Sequence, residues 1–110
     1  MFEQHEGSVA FPKGFSATGI SCSIKSSGEK DLGLIHSSEP CIVEAVFTEN
    51  KFKAAPVILS QERIKNTINA LIVNSGNANA CTGKQGYKDA IRMTEIVEEY
   101  FSFPKESVLV

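Results

Sequence analysis

The chain has 110 residues, of which 42% are hydrophobic, and its formal net charge is −2 at pH 7. This length suits one domain, and the apolar content is sufficient for a packed core rather than a disordered segment. The negative charge and the scattered Lys and Arg residues argue against a nucleic acid or an anionic membrane as the main partner, because both favour clustered positive charge.

The first half of the chain is predicted to form short strands that are separated by turns. Residues 7–11 and 15–24 are candidate strands on either side of a Pro-Lys-Gly turn. Residues 31–37 follow a polar, Gly-containing turn and form the next candidate strand. The run at 41–48, Cys-Ile-Val-Glu-Ala-Val-Phe-Thr, is rich in β-branched side chains and predicts a further strand.

A proline decides the prediction for residues 54–59. This run is apolar, but Pro56 has no amide hydrogen to donate to a strand ladder, so the run predicts an edge strand at best. Ser60 is then the expected cap of a short helix that ends near Asn66. The run Asn-Ala-Leu-Ile-Val at 69–73 predicts a buried strand.

The longest helix is predicted over residues 84–101, where apolar residues recur at helical spacing. Thr82 and Gln85 have the spacing of a capping box, in which the two side chains bond the free amides of the first turn. Residues 107–110 begin another strand. The sequence therefore predicts a mixed α/β (α+β) fold of layered sheets and helices, with residues 1–110 as a single portion that has no internal boundary.

The sequence carries no sign of a membrane span or of export. No stretch approaches the roughly 20 apolar residues that cross a bilayer, and the chain begins with glutamates where a secretory signal carries Lys or Arg. The three cysteines, Cys22, Cys41 and Cys81, do not suggest a disulfide framework, and reduced thiols fit the cytosol. We therefore expect a cytoplasmic protein that binds neither nucleic acid nor membrane.

The segment with the most unusual composition is the loop at 74–83, Asn-Ser-Gly-Asn-Ala-Asn-Ala-Cys-Thr-Gly. Gly and Asn permit tight and left-handed turns, and the amides at the start of the following helix favour a carboxylate or a phosphate. One interpretation is a pocket loop whose Asn side chains offer donors and acceptors to a substrate. The structural alternative is a strand-to-helix turn that is held together by its own Asn side chains.

A phosphate- or nucleotide-binding module is the alternative function for the same loop. The order strand, Gly-containing loop and helix suits such a module. The spacing of Gly76, Gly83 and Gly86, however, fits neither G-x-G-x-x-G nor G-x-x-x-x-G-K-[ST].

Two further chemistries are weakly indicated by the cysteines and histidines. Cys81 and His36 could be proposed as a nucleophile and its base, but no third residue that orients the base is indicated. His5 and His36 do not form a zinc pattern with the cysteines, since no close Cys-x-x-Cys pair is present. We expect no metal, and we expect His36 to be a structural or an exposed residue of its strand.

Several segments match, in order, the blocks of a known family. The loop at 74–83, followed by Gln-Gly at 85–86, resembles the signature of the glutamate N-acetyltransferase (ornithine acetyltransferase) family of arginine biosynthesis. The other similar blocks are Phe-Pro-Lys-Gly-Phe at 11–15, Lys-Asp-Leu-Gly-Leu-Ile at 30–35, Val-Phe-Thr-Glu-Asn at 46–50 and Lys-Ala-Ala-Pro-Val at 53–57. The resemblance covers nearly the whole chain and corresponds to the N-terminal part of the family's N-terminal chain.

The resemblance implies a reaction and a set of partners. An acetyl group moves from N2-acetylornithine to glutamate through an acetyl-threonine intermediate, and some members also accept acetyl-CoA. The threonine becomes an N-terminus when the precursor cuts itself into two chains, and its own α-amine can then serve as the base. A Thr-Gly pair forms the oxyanion hole. We therefore expect no cofactor, and we expect the C-terminal chain of the same precursor as a partner in an assembly of two N-terminal and two C-terminal chains.

The resemblance places none of these catalytic groups within residues 1–110, because the family's Thr-Gly pair follows a segment similar to residues 106–110. We therefore expect no catalytic residue in this chain and no acetyl transfer by this part alone. The threonines that lie outside the matching motif are Thr18, Thr48, Thr67, Thr82 and Thr94. The candidate substrate-binding residues are Asn74, Asn77 and Asn79.

Overall fold

A computed structural model describes residues 7–110, in which four strands and two helices alternate in a mixed α/β fold. His5 and the acidic start of the chain lie outside the described residues. The elements in chain order are β1 (Phe15–Ile20), β2 (Leu32–Cys41), α1 (Ala55–Arg63), β3 (Ile68–Asn74), α2 (Gly83–Phe101) and β4 (Val108–Leu109).

The strands form one sheet in the order β1-β2-β3-β4. β1, β2 and β3 are antiparallel neighbours, whereas β4 is parallel to β3, with Ala70 opposite Val108. Two adjacent parallel strands need a crossover connection, and α2 provides it. The unit β3–α2–β4 therefore brings the C-terminal ends of β3 and β4 to the same edge of the sheet.

Both helices pack on one face of this sheet. Ala70 of β3, Val97 of α2 and Val108 of β4 form one buried cluster. A second cluster joins Leu59 of α1 to Ala90 of α2, and partly buried hydrophobic residues surround it. The small side chains at the contact allow the two helices to approach each other closely. The opposite face of the sheet is covered by neither helix.

Aromatic side chains at the C-terminal end of α2 also pack on the face of the sheet that the helices cover. His36 of β2 stacks on Phe101 and Phe103 with ring centroids 5.2 and 5.5 Å apart. This contact confirms the structural interpretation of His36. The residue packs against aromatic rings at the C-terminal end of α2, where the chain turns through Ser102 in a left-handed conformation.

Two of the predicted strands are wrong. Residues 7–11 form a turn, in which the Phe11 amide donates to the Ser8 carbonyl at 2.9 Å. Residues 42–50 have no regular structure, and only Cys41 of the predicted 41–48 strand lies in a strand. A β-branched run forms a strand only where a neighbouring strand can pair with it, and no described strand lies beside this segment.

The prediction for residues 54–59 is also wrong, because the run forms the first part of α1. Pro56 lies in the first turn of the helix, where the amide that proline lacks has no intrahelical partner to lose. Ser60 is therefore not a cap. It lies inside α1, is buried, and donates its hydroxyl to the Val110 carbonyl at 2.9 Å.

The predictions for β3, α2 and the last strand are confirmed to within one or two residues. The capping box at the start of α2 is wrong. Thr82 makes no side-chain cap bond and instead contacts Asn79, while Gln85 Nε2 donates to Asp89 Oδ1 at 2.8 Å. The spacing is that of a capping box, but the Thr82 hydroxyl donates to Asn79 Oδ1 and accepts from no first-turn amide.

Candidate functional site

The two helices begin at the same edge of the molecule. An open cavity of about 220 Å³ lies between their N-termini and is lined by Lys53 and Ala55 on one side and by Thr82 and Gly83 on the other. The first amides of a helix have no intrahelical acceptor and carry partial positive charge. The one parallel unit of this sheet, β3–α2–β4, has the local geometry in which open parallel sheets bind ligands at the carboxyl ends of their strands.

Two polar side chains at the cavity have partners on α1. Lys53 Nζ donates to Gln61 Oε1 at 3.2 Å, so this side chain extends from the start of α1 along the helix. Tyr87 donates its hydroxyl to the Glu62 carboxylate, and this hydrogen bond raises the pKa of Tyr87 above its ordinary value. Tyr87 is therefore a neutral phenol near pH 7. The sequence did not single out these residues as a site, although Lys53 opens one of the blocks that resemble the family.

The loop between β3 and α2 is held at its start by its own first asparagine. Asn74 Nδ2 donates to the Asn77 carbonyl at 3.0 Å, and the Ser75 amide donates to the Asp31 carbonyl at 2.9 Å. Gly76 has a φ of +94°, a conformation that side chains rarely adopt. The bend at Gly76 therefore turns the chain from the strand towards the helix.

The second half of the loop is tied to α2 by Asn79. Its Nδ2 donates to the Gly86 carbonyl at 2.7 Å, and its Oδ1 accepts from the Thr82 hydroxyl. Both polar atoms of Asn79 are therefore engaged within the protein. For Asn79 the structure therefore shows the structural alternative, in which the loop is held together by its own Asn side chains.

Asn77 differs from the other two asparagines. It is exposed, and its side-chain amide makes no hydrogen bond with any of residues 7–110. Its donor and its acceptor are both available to a ligand. The structure thus separates the three predicted residues: Asn79 ties the loop, Asn74 supports its bend, and Asn77 is the side chain that is free to act. Substrate binding by any of them stays a prediction.

Gly86 is the residue on which the tie between the loop and α2 depends. It is buried, and an added Cβ would lie far inside van der Waals distance of Thr82 Oγ1 and Asn79 Oδ1. We expect Gly86→Ala to displace these side chains and to destabilise the protein by about 1–2 kcal/mol, the value of a lost hydrogen bond with its unpaired partner. Thermal unfolding measures this loss. Gly19→Ala is a control for the glycine itself, since an added Cβ there would meet Lys30 Cδ at 3.4 Å, an ordinary contact, without a left-handed backbone. A loss no larger at Gly86 than at Gly19 would contradict the prediction.

The proposed pairing of Cys81 with His36 is wrong. Cys81 lies in the loop just before α2, whereas His36 stacks on Phe101 at the other end of that helix. A helix of 19 residues is about 28 Å long. The two side chains cannot meet, and Cys81 has no base in His36.

A larger open cavity, of about 600 Å³, lies away from the loop along the C-terminal halves of the helices. Five of its twelve lining residues are glutamates, of which Glu98 pairs with Arg63 at 3.3 Å. None of its residues belongs to the loop at 74–83, although Glu106 lies in a segment that resembles the family. The smaller cavity at the helix N-termini is therefore the better candidate site, because the loop, two helix starts and a lysine converge on it.

Residues 7–110 contain no candidate metal site and no candidate membrane span. No three His, Cys, Asp or Glu side chains in that part of the chain are arranged so that they could hold a metal ion. Neither of its helices is long and apolar enough to cross a membrane.

Comparisons with known proteins point to one family. The model of the ArgJ family matches residues 16–110. A mitochondrial arginine biosynthesis bifunctional protein ArgJ from Heterostelium pallidum is 46% identical over 104 residues, which are 91% of this chain and 24% of that protein. The chain thus spans about a quarter of the length of the curated relatives that it matches.

Solved structures agree with this match. The crystal structure of arginine biosynthesis bifunctional protein ArgJ from Bacillus halodurans is 47% identical, with a TM-score of 0.89 over 94% of this chain and 55% of that chain. The structure of ornithine acetyltransferase complexed with ornithine from Mycobacterium tuberculosis is 38% identical, with a TM-score of 0.85 over 91% of this chain and 55% of that chain.

Proposed function

Since this chain belongs to the ArgJ family, we propose that it is the N-terminal portion of an acetyltransferase that moves an acetyl group from N2-acetylornithine to glutamate. The family match over residues 16–110 is the observation that carries this proposal. By the resemblance, the acetyl group passes through an acetyl-threonine intermediate, and acetyl-CoA is a second possible donor. The nucleophile and the oxyanion hole belong to parts of the protein outside these 110 residues.

The role proposed for this portion is to support the pocket of the amino-acid substrate. Both substrates carry a carboxylate, and a cavity between two helix N-termini and Lys53 stabilises negative charge. Asn77 does not line this cavity but lies in the loop that leads to it, and its exposed side chain can both donate and accept. The ornithine that is bound in the Mycobacterium tuberculosis relative is an amino acid of the same class.

We propose that the rest of the same polypeptide is the partner of this portion. The uncovered face of the sheet contains an apolar groove that is lined in part by Phe15, Ile35, Leu71 and Leu109. Beyond β2, Ile42 is 88% exposed and Val46 is 98% exposed. Such apolar surface is unusual on an independent monomer. We therefore propose that the C-terminal chain of a self-cleaved precursor covers it, in a cytoplasmic assembly of two chains of each kind.

The complete protein provides the test of the proposed reaction. It is incubated with N2-acetylornithine and glutamate, and the release of ornithine and N-acetylglutamate is followed by chromatography. We expect equal amounts of the two products, because the acetyl group is transferred rather than hydrolysed. The same assay with acetyl-CoA as donor shows whether the second donor is used. If neither donor gives acetyl transfer to glutamate, the proposal is overturned.

Asn77→Ala tests the role of the loop in the complete protein. We expect KM for N2-acetylornithine to rise about tenfold with little change in the melting temperature, because a hydrogen bond to a charged group is lost and no bond within the loop is broken. Steady-state kinetics measure the effect. Asn66→Ala is the matched control, since Asn66 bonds the Glu106 carbonyl away from the loop. An unchanged KM in Asn77→Ala would remove Asn77 from the site.

The alternative function, a phosphate- or nucleotide-binding module, is less well supported by the same geometry. The cavity at the loop is about 220 Å³, below the roughly 300–1,000 Å³ that is common for drug-sized ligands. This volume suits an amino acid better than a nucleotide. Titration of the protein with ATP and NAD separates the two functions, and binding at the loop would favour the module.

A further inference from the structure

Asp31 is a buried carboxylate at the base of the hairpin that joins β1 to β2. It is 3% exposed. Oδ1 accepts from the Cys22 amide at 2.7 Å and from the Cys22 thiol at 3.2 Å, while Oδ2 accepts from the amides of Ile24 and Lys25 at 2.7 and 2.9 Å. The Cys22 amide is the main cause that holds the pKa of Asp31 at about 2. This carboxylate is thus ionised at any working pH and fastens residues 22–25.

The main chain of Asp31 fastens a second segment. Its amide donates to the Ile20 carbonyl at 2.9 Å, and its carbonyl accepts from the Ser75 amide at 2.9 Å. Ser75 is the first residue after β3, at the start of the loop that leads to α2. Asp31 therefore holds residues 22–25, here called the hairpin tip, through its side chain. It holds the start of the loop through its backbone.

The two fastened segments touch at Gly76. An added Cβ at Gly76 would lie 2.8 Å from Lys25 Cγ and 3.3 Å from Ile24 Cγ2. The hairpin tip therefore forms a wall against the bend of the loop. Gly76 has no side chain to pack, so Lys25 and Ile24 supply the side-chain contacts at this bend.

We propose that Asp31 is a positioning residue that presses residues 22–25 against Gly76 and thereby fixes the loop conformation in which Asn77 meets the substrate. The inference rests on the proposed substrate role of the loop. It predicts that substrate binding at the loop makes the hairpin tip more ordered. No residue of the tip needs to touch the substrate for this to happen. Coupling of this kind acts through contiguous packed contacts, here Asp31, Lys25 and Gly76.

The three thiols of the chain report on this coupling in the unaltered complete protein. Cys81 lies in the loop, Cys22 bonds Asp31 in the hairpin tip, and Cys41 lies at the far end of β2. Each is followed by alkylation with iodoacetamide and peptide mapping, with and without saturating N2-acetylornithine. We expect the substrate to slow alkylation of both Cys81 and Cys22 several-fold. Cys41 lines the groove that the rest of the protein is proposed to cover, so its alkylation should be slow with and without substrate.

Asp31→Asn gives the kinetic arm of the test. The amide NH2 of asparagine faces backbone donors, so at least one of the bonds to residues 22–25 is lost. We expect KM for N2-acetylornithine to rise about tenfold with kcat within about twofold, and Asp31→Glu to restore part of the affinity. Ser37→Ala is the control, because Ser37 is a buried residue of β2, the strand that follows Asp31, and its hydroxyl donates to the Glu39 carbonyl away from the loop. Its KM should not change.

The outcomes separate this inference from the proposed function. Protection of Cys81 without protection of Cys22, together with an unchanged KM in Asp31→Asn, would overturn the coupling and leave the substrate role of the loop intact. Protection of neither thiol, in a protein that transfers acetyl groups, would overturn the role of the loop and this inference with it. Absence of acetyl transfer would overturn the proposed function itself.

Discussion

The isolated chain of residues 1–110 is expected to show no acetyl transfer from N2-acetylornithine to glutamate, under conditions in which the complete protein shows rapid transfer. By its resemblance to the family, this portion lacks the nucleophilic threonine and the Thr-Gly pair of the oxyanion hole. Removal of the nucleophile of an acyl-transfer enzyme lowers kcat by roughly a millionfold. The residual rate should therefore be indistinguishable from that of the buffer.

The assay needs a control for folding, because an unfolded chain is also inactive. Circular dichroism of the isolated chain shows whether the helices α1 and α2 are formed. Addition of the remaining polypeptide, expressed separately, is expected to restore transfer if the two parts assemble. Robust turnover by the isolated chain would contradict the prediction. In that case Cys81 is the nucleophile to replace first, as it is an exposed thiol of the loop.

The sequence predicted those elements in which local preference and tertiary packing agree. Over α2, apolar residues recur at the helical period, and the buried residues Ala90, Thr94 and Val97 follow the same spacing. In β3, a short apolar run bounded by polar residues becomes an inner strand between β2 and β4. In both elements the pattern of apolar residues along the chain matches the surface that the element buries.

Elements whose state depends on distant partners could not be predicted in this way. The run at 41–48 has the composition of a strand, but Val46 is 98% exposed and no described strand pairs with the run. The run at 54–59 contains Pro56, which breaks a strand ladder but is well accommodated in the first turn of α1. Composition alone does not distinguish a proline that interrupts a strand from a proline in the first turn of a helix.

The candidate site was predicted at the level of a segment and not of individual residues. Gly and Asn mark the loop at 74–83, because few other residues adopt its turns. Which asparagine is free depends on Gly86, whose carbonyl engages Asn79 from inside α2. Asp31 reaches the loop through its backbone and the hairpin tip through its side chain, and neither contact has a sequence signature.

Arg63→Ala is expected to cause the largest loss of stability that a single substitution produces in this portion. Arg63 Nη1 lies at the junction of three elements: it donates to Thr94 Oγ1 at 2.7 Å, to the Val108 carbonyl at 2.9 Å and to Glu98 Oε1 at 3.3 Å. The side chains of Arg63 and Glu98 are each 7% exposed. One cation therefore joins α1, α2 and β4 where solvent cannot replace it.

The substitution leaves Glu98 buried without its counter-charge. Breaking a buried ion pair in this way costs about 3–5 kcal/mol, a large part of the 5–15 kcal/mol that stabilises a typical domain. Denaturant unfolding of the complete protein measures the loss. Arg92→Ala is the exposed control on α2, since Arg92 pairs with Glu95 and Glu99 at side chains that are 46–65% exposed. We expect little change there, because water solvates the partners that remain.

The pH dependence of the Arg63→Ala deficit identifies its cause. Burial raises the pKa of Glu98 above its ordinary value, and Arg63 opposes this rise. Without Arg63 the pKa of Glu98 rises further, so the folded state binds a proton more readily than the unfolded state does. Stability is then lost as pH rises from about 4 through the raised pKa, and the deficit should shrink as pH falls.

Addition of Glu98→Gln to Arg63→Ala should recover part of the loss at neutral pH, because the uncompensated charge is gone. A deficit that is independent of pH and is not reduced by Glu98→Gln would assign the loss to the bonds with Thr94 and Val108 instead.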